Sequence, residues 1–162
     1  MKSFIYYLSL FIQLFSARIY ACNKDFIVNT SHGKIYLKTA ISTIDKTKGL
    51  SGVKKINNSH GMFFFYKNTK QLSFWMPNTF INLDIFFIDK NLKIIAIERN
   101  LKAHPGRKPV PEIQQTKSYL AKYVMELNTL DPISSKLKVN DKLSYFCSNY
   151  FLQTKQGIHL KK

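Results

Sequence analysis

The sequence predicts a mainly β protein, a single compact antiparallel β-sandwich or barrel-like domain with one or two short helices. Short apolar runs at 62–66, 72–76, 83–89 and 92–97 are bounded by Asn, Lys or Gly, and runs of that length are buried strands more often than helices. They follow one another through short links with no alternating long helices, which favours antiparallel sheet over a parallel α/β architecture. The chain has 162 residues, 45% hydrophobic and 14% aromatic, enough for one domain with a real core and too apolar for disorder.

In chain order, 26–28 and 35–41 carry β-branched and aromatic residues around the turn Ser31-His32-Gly33 and read as a first hairpin. Residues 42–49 are polar around Ile44 and read as one helical turn or a loop ending at Gly49. Asn57-Asn58-Ser59-His60-Gly61 is a turn by composition and launches the strand at 62–66. Asp89-Lys90-Asn91 is a tight hairpin loop between two further strands. Four turn-forming residues, Pro105, Gly106, Pro109 and Pro111, make 101–111 a long loop. A strand follows at 119–127. Asp131 caps a short helix with Pro132 in its first position, running to Leu137, and 142–146 closes the sheet.

The first 21 residues have Lys2, an apolar run from Phe4 to Phe15, and the ending Ile19-Tyr20-Ala21. That order matches a secretory signal peptide cut after Ala21; the other reading is an uncleaved amphipathic anchor, given Arg18 near the cut. The run is too short to span a membrane. The expected layout is therefore a signal peptide at 1–21, an N-terminal segment and first strand at 22–34, the β domain at 35–147, and a basic tail at 148–162. Cys22 and Cys147 both lie in the mature chain. Cys22 fits a degenerate lipobox, a disulfide to Cys147, or a free thiol, and two cysteines alone do not decide.

Loss of Lys2 and Arg18 lowers the formal charge from +16 to +14. That balance suits an anionic envelope component, with peripheral or lipid-anchored membrane association. The lysines are scattered with no run of five, so a solvated Lys-rich surface is the preferred account over a dedicated polyanion site. Nucleic acid is disfavoured, because the aromatics are not interleaved with Arg as stacking platforms are.

Three segments resemble a known family. They are Gly49-Leu50-Ser51-Gly52 followed by Gly61-Met62-Phe63-Phe64-Phe65; Ser73-Phe74-Trp75-Met76-Pro77-Asn78-Thr79 with Leu83-Asp84-Ile85; and Tyr123-Val124-Met125-Glu126-Leu127 with Val139-Asn140-Asp141-Lys142-Leu143. Together they resemble the domain of unknown function 192 family over about 35–146. The resemblance implies a compact sandwich or barrel-like fold, often exported, and no established activity. Val53 stands where members commonly carry Arg, and Asn82 where they carry Pro, so no role of that Arg carries over.

Candidate binding residues are Trp75, Met76, Asn78 and Thr79, which offer an aromatic platform, a thioether and amide hydrogen bonds at one rim. The alternative places Trp75 and Met76 in the core and Asn78 and Thr79 in a turn. Asp84 joins the rim; lying inside an apolar strand, it needs a partner. His104 and Arg107 come from the long loop, where His104 could carry a proton. An enzyme reading pairs Asp84 or Glu98 with His104 and allows Glu126 as a further acid. Nucleophile and phosphate-loop motifs are absent from the sequence, and no second His or Cys stands at metal-ligand spacing from His104. The expectation is therefore a noncatalytic, extracytoplasmic ligand- or envelope-binding domain, with neither a cofactor nor a metal ion; the alternatives are the small extracytoplasmic enzyme above and a structural envelope lipoprotein, and oligomeric state is left open.

Overall fold

A computed structural model describes residues 26–56, 60–106, 112–147, 153–154 and 157–158. The chain divides into a unit of Cys22–Asn149 and a second of Met1–Ala21 with Tyr150–Lys162. The larger unit holds β1 (Phe26–Thr30), β2 (Gly33–Ala40), helix α1 (Thr43–Lys48), β3 (Gly61–Leu72), β4 (Leu83–Ile88), β5 (Ile94–Leu101), β6 (Tyr119–Asn128), a 3-10 turn (Ser134–Lys136) and β7 (Ser144–Cys147). In the second unit, β8 (Gln153–Thr154) pairs antiparallel with β9 (Gly157–Ile158). The expected leader, Cys22, Arg107, the 57–59 turn, most of the tail and the Cys147 side chain lie outside the described residues.

Seven strands form one sheet in the order β5-β4-β6-β3-β2-β1-β7. The mainly β fold is as the sequence predicts, but the sheet is mixed. β2 and β3 run parallel, Leu37 opposite Gly61, because the 20 residues between them cross over the sheet through α1. A second difference concerns 72–76. β3 continues through the exposed polar residues 67–71 and ends at Leu72, while Trp75 makes only a single bridge to Gln115. Polar residues facing solvent at the end of a long strand leave no apolar pattern to read.

Local chemistry fixes the elements between strands. Ser42 and Asp45 form a reciprocal capping box at the start of α1, and Gly49 ends the helix at φ 49°. Asp89 Oδ1 accepts from the Asn91 and Lys93 amides at 2.8 and 2.9 Å, shaping the β4–β5 hairpin. Asp131 Oδ1 accepts from Ile133 N at 2.8 Å and Ser134 N at 3.3 Å, shaping the turn before the 3-10 turn; the helix expected from Pro132 to Leu137 is only that turn, Ser134–Lys136, with Ile133 at its N-cap.

Hydrophobic side chains pack on both faces of the sheet. One face gathers an aromatic cluster in which Phe26 of β1 lies 4.9 Å from Phe63 of β3, across the intervening β2, so the sheet is strongly curled. The sheet is not closed. Bonds from Ile94 N to Asp141 O and from Leu143 N to Leu92 O, 3.0 and 2.8 Å, draw its two edges together at one end. The other face carries Phe64, Leu83, Ile85, Phe87 and Val124 under Leu50, Phe74 and Met76 from the loops. All six residues of β4 are buried.

Strand β3 enters the sheet where it touches β6 most closely. A Cβ on Gly61 would stand 1.8 Å from the Glu126 carbonyl oxygen, a backbone atom held by the sheet on both sides. Gly61→Ala should therefore lower stability by roughly 3 kcal/mol, the upper end of overpacking costs. Gly52→Ala meets no atom within 4 Å and strains only a backbone at φ +78°, costing about 1–2 kcal/mol. Urea midpoints of the two variants should rank in that order.

Candidate functional site

A pocket opens on the sheet face that carries Phe64, Leu83 and Val124. Its walls are α1 and the following turn, through Lys46, Thr47, Lys48, Gly49, Leu50 and Ser51, and the 74–79 loop. Its cavity volume is about 40 Å³, room for one small group, and it opens directly to solvent. Glu126 lies among the lining residues on β6.

Two sets of backbone bonds build the walls. Met76 N donates to Gln114 O at 3.2 Å and Thr116 N to Phe74 O at 2.8 Å, clamping the 74–76 segment in extended form. Extended backbone alternates its side chains, so Phe74 and Met76 enter the core while Trp75 turns outward, 62% exposed. Gly52 N then donates to Asn78 O at 2.8 Å, tying the turn after α1 to the 74–79 loop. Asn78 itself is exposed and takes φ 50°, a conformation Asn tolerates. Thr79 and His104 exchange backbone bonds of 3.0 and 2.6 Å, which brings the buried His104 segment behind the loop.

Glu126 is the unusual group. It is 5% exposed, and its Oε2 has no hydrogen-bond partner among the described residues. Gly49 lies beside it: a Cβ there would stand 3.4 Å from the Phe64 ring and 3.8 Å from that oxygen, both ordinary contacts. Burial pushes the Glu126 carboxyl up to about 8, so it is mostly protonated at neutral pH. Tyr66 of β3 is pushed up to about 12 by burial and then by the charge of Glu126. Lys46 stands 4.9 Å from the centroid of the Tyr66 ring, and Lys70 4.7 Å. Burial and the neighbouring Lys70 lower the Lys46 ammonium, against a smaller opposing pull from Asp45.

Asp84 belongs to a different construction. It alternates with Leu83 and Ile85, so it points to the sheet face opposite the pocket. There it accepts from Arg99 Nη1 at 2.8 Å, Asn100 N at 2.8 Å, Ser134 Oγ at 2.7 Å and Thr129 Oγ1 at 3.2 Å. Arg99 also donates to the Ser134 and Leu137 carbonyls, at 2.7 and 2.6 Å, and lies over the Phe86 ring. Burial alone would raise the Asp84 carboxyl; the Asn100 amide, Ser134 hydroxyl and Arg99 guanidinium outweigh it and hold it low. Glu98 faces elsewhere, accepting from Tyr119 OH at 2.6 Å and Lys117 N at 3.3 Å.

Of the residues singled out from sequence, Trp75, Met76 and Thr79 line the pocket. Asp84 and Asn78 do not, and the Asp84 and Glu98 carboxylates are each held by their own partners. Lys46, Lys48 and the turn 49–51 join the site through the β2–β3 crossover. Nothing in their local pattern marks them, although Gly49-Leu50-Ser51 is one of the resembling segments. Glu126 was readable as an acid inside an apolar strand, but not as an unpartnered one. Among the described residues no cluster of three or more His, Cys, Asp or Glu could hold a metal ion.

The fold and site together define a small β domain with a solvent-open pocket above a buried acid. The chain belongs to the domain of unknown function 192 family, described as Uncharacterized ACR, whose model matches residues 26–145. Two solved structures share the fold. A candidate transcription regulator from Sinorhizobium meliloti 1021 is 25% identical, with a TM-score of 0.59, 75% of this chain and 92% of that one covered. A protein of unknown function from Novosphingobium aromaticivorans DSM 12444 is 21% identical, with a TM-score of 0.57, covering 74% and 83%. No curated protein matches the chain.

Asp84→Ala should lose about 1–3 kcal/mol by orphaning the Ser134 hydroxyl and Asn100 amide; Arg99 is 37% exposed and recovers part of its loss from water. With its carboxyl held below 3.8 in the fold, the Asp84 contribution is present above that pH and disappears as pH falls through the folded value. An unchanged melting temperature in Asp84→Ala would contradict this.

Glu126 works in the opposite sense. The folded chain keeps a proton that the unfolded chain releases from about pH 4.5, until both are ionised above about 8. Stability should therefore decline as pH rises across that window. In Glu126→Gln the decline should flatten, as read from denaturant midpoints at both ends of the window.

Proposed function

We propose that this chain is an extracytoplasmic, noncatalytic β domain that binds a small ligand or envelope component in the pocket above Glu126. The observation that carries this reading is the Glu126 carboxyl, buried without a partner for Oε2 among the described residues, yet lining an open pocket. A buried polar group without a partner costs stability. A bound ligand that hydrogen-bonds it offsets that cost. Trp75 at the mouth adds a flat apolar surface that solvent reaches.

Export is supported by the order Lys2, apolar run, Ala21 at the start of the chain. Outside the cytoplasm, lipid on Cys22 or the Lys-rich surface would keep the domain close to anionic envelope components. The arrangement favours binding over hydrolysis. Glu126 is the one carboxylate among the pocket-lining residues, whereas glycoside hydrolysis typically uses a pair.

Two readouts test the proposal. Intact mass of the protein recovered from the envelope fraction should show loss of residues 1–21; a full-length chain confined to the cytoplasm would refute export. Ligand-detected NMR with a mixture of anionic, neutral and cationic fragments should show at least one class bound by the wild type and released in Thr47→Trp, which narrows the mouth. Fragments that bind both proteins equally, or neither, would refute the pocket as the site.

A further inference from the structure

We infer that the pocket selects a small carboxylate carried on a ring, the carboxylate meeting Glu126 and Lys46 and the ring lying against Trp75. This rests on the binding reading above and names its ligand class. The lining side chains with polar ends are Lys46, Thr47, Lys48, Ser51, Thr79 and Glu126. Thr47 and Thr79 already donate their hydroxyls to the Thr43 and Pro77 carbonyls, at 2.9 and 3.2 Å. What remains for a ligand is two ammonium groups, the Ser51 hydroxyl and the Glu126 carboxyl. Three of these donate, and the fourth donates while protonated.

The ligand's charge follows from that inventory. A cation would face Lys46 and Lys48 at the wall, with a mostly neutral acid at the floor. A neutral ligand would leave the ammonium groups to solvent and gain nothing from their charge. A carboxylate instead accepts the Glu126 proton in a charge-assisted O–H···O⁻ bond, among the short and strong kinds, while Lys46 supplies the opposite charge. Lys46 lies over the Tyr66 ring and lines the same pocket as Glu126, so the ammonium and the carboxyl border one cavity. Asp45, the nearest other acid on α1, is engaged in the capping box. The ring requirement comes from Trp75, exposed at the mouth while its neighbours Phe74 and Met76 are core. A flat or chair-shaped body stacked there loses apolar surface to the indole.

The charged and titratable groups that line the pocket with Glu126 are Lys46 and Lys48 of α1; Tyr66 of β3 feels the Glu126 charge, and Asp45 and Lys70 flank Lys46. Of these, Glu126 is the group that changes charge near pH 8. Affinity should fall as pH rises through that value, because the floor becomes an anion facing an anion. Lys46, lowered from 10.5, should add a separate fall on the alkaline side.

The experiment is titration of the full mature chain, read by fluorescence of Trp75, the single tryptophan, with glucuronate, glucose and glucosamine, and with benzoate against benzamide. Each carboxylate should bind about 10-fold or more tighter than its neutral counterpart, the size of one charge-assisted bond. Glu126→Gln, which keeps a neutral donor, should hold glucuronate or benzoate within a few fold and lose the fall near pH 8. Glu126→Ala should lose binding, and Lys46→Met should weaken it about 10-fold and remove the alkaline fall. Thermal melts of each variant confirm that it is folded. Equal affinity for acid and neutral analogue, preference for glucosamine, or an unchanged pH profile in Glu126→Gln overturns the carboxylate assignment and leaves the pocket as a binding site. Silence with every probe, together with fragments that ignore Thr47→Trp, defeats the binding reading itself.

Discussion

β4 and the Val124–Leu127 stretch of β6 are buried on both faces of the sheet, so a polar side chain there has little water to fall back on. Asp84 and Glu126 are the two acids in that position, and their fates differ. Asp84 faces the 3-10 turn and Arg99, and four donors reach it. Together they fasten β4, β5 and the segment after β6 into one polar knot inside an apolar setting, where such networks strengthen one another. Glu126 points the other way, under α1 and Gly49, and its Oε2 is met by no donor among the described residues. The sheet thus spends its internal polar groups asymmetrically. One face is locked and the other is left open.

The opening depends on what the β2–β3 crossover does. A parallel pair needs a connection that leaves the sheet and returns, and this one carries α1 over the face of Phe64 and Glu126. The helix is only six residues long; its capping box and Gly49 define where it starts and stops. A larger residue than glycine at 49 would stand above the Glu126 carboxyl. The 74–79 loop completes the wall, because its clamp to 114–116 buries Phe74 and Met76 and turns Trp75 to the mouth. The same two walls are tied to each other through Gly52 and Asn78, so the pocket is bounded by elements with fixed backbone. Lys46 and Lys48 at its wall and the buried acid at its floor are the charged and titratable groups that line it.

Much of this was legible before any fold was known. The strands at 26–28, 35–40, 62–66, 83–88 and 119–127 follow from apolar and β-branched runs, and the turns at 31–33 and 89–91 from Gly, Asp and Asn. The need of Asp84 for a partner follows from a charge inside an apolar strand. Its partner does not. Glu98 and Arg99 are neighbours in sequence, yet the strand sends their side chains to opposite faces, so Arg99 reaches Asp84 and Glu98 reaches Tyr119. Asp84 and Trp75 are close in sequence too, and the pleat of β4 puts Asp84 on the face away from the pocket. Nine residues of spacing carry no information about which face of a curled sheet each group occupies.

By itself, then, the sequence determined the strand content, the caps and turns, the charge balance and the presence of an acid in each of two central strands, because periodicity and local hydrogen bonding act within a few residues. Only the tertiary structure decided the parallel β2–β3 pair, the two-sided burial of β4 and of Val124–Leu127 in β6, and the meeting of Lys46, Gly49, Trp75 and Glu126 around one pocket. Those groups are separated by up to 80 residues of chain, and nothing local to any of them encodes the others. Strand order and sheet curvature bring them together, and these emerge from how all seven strands bury their apolar faces at once.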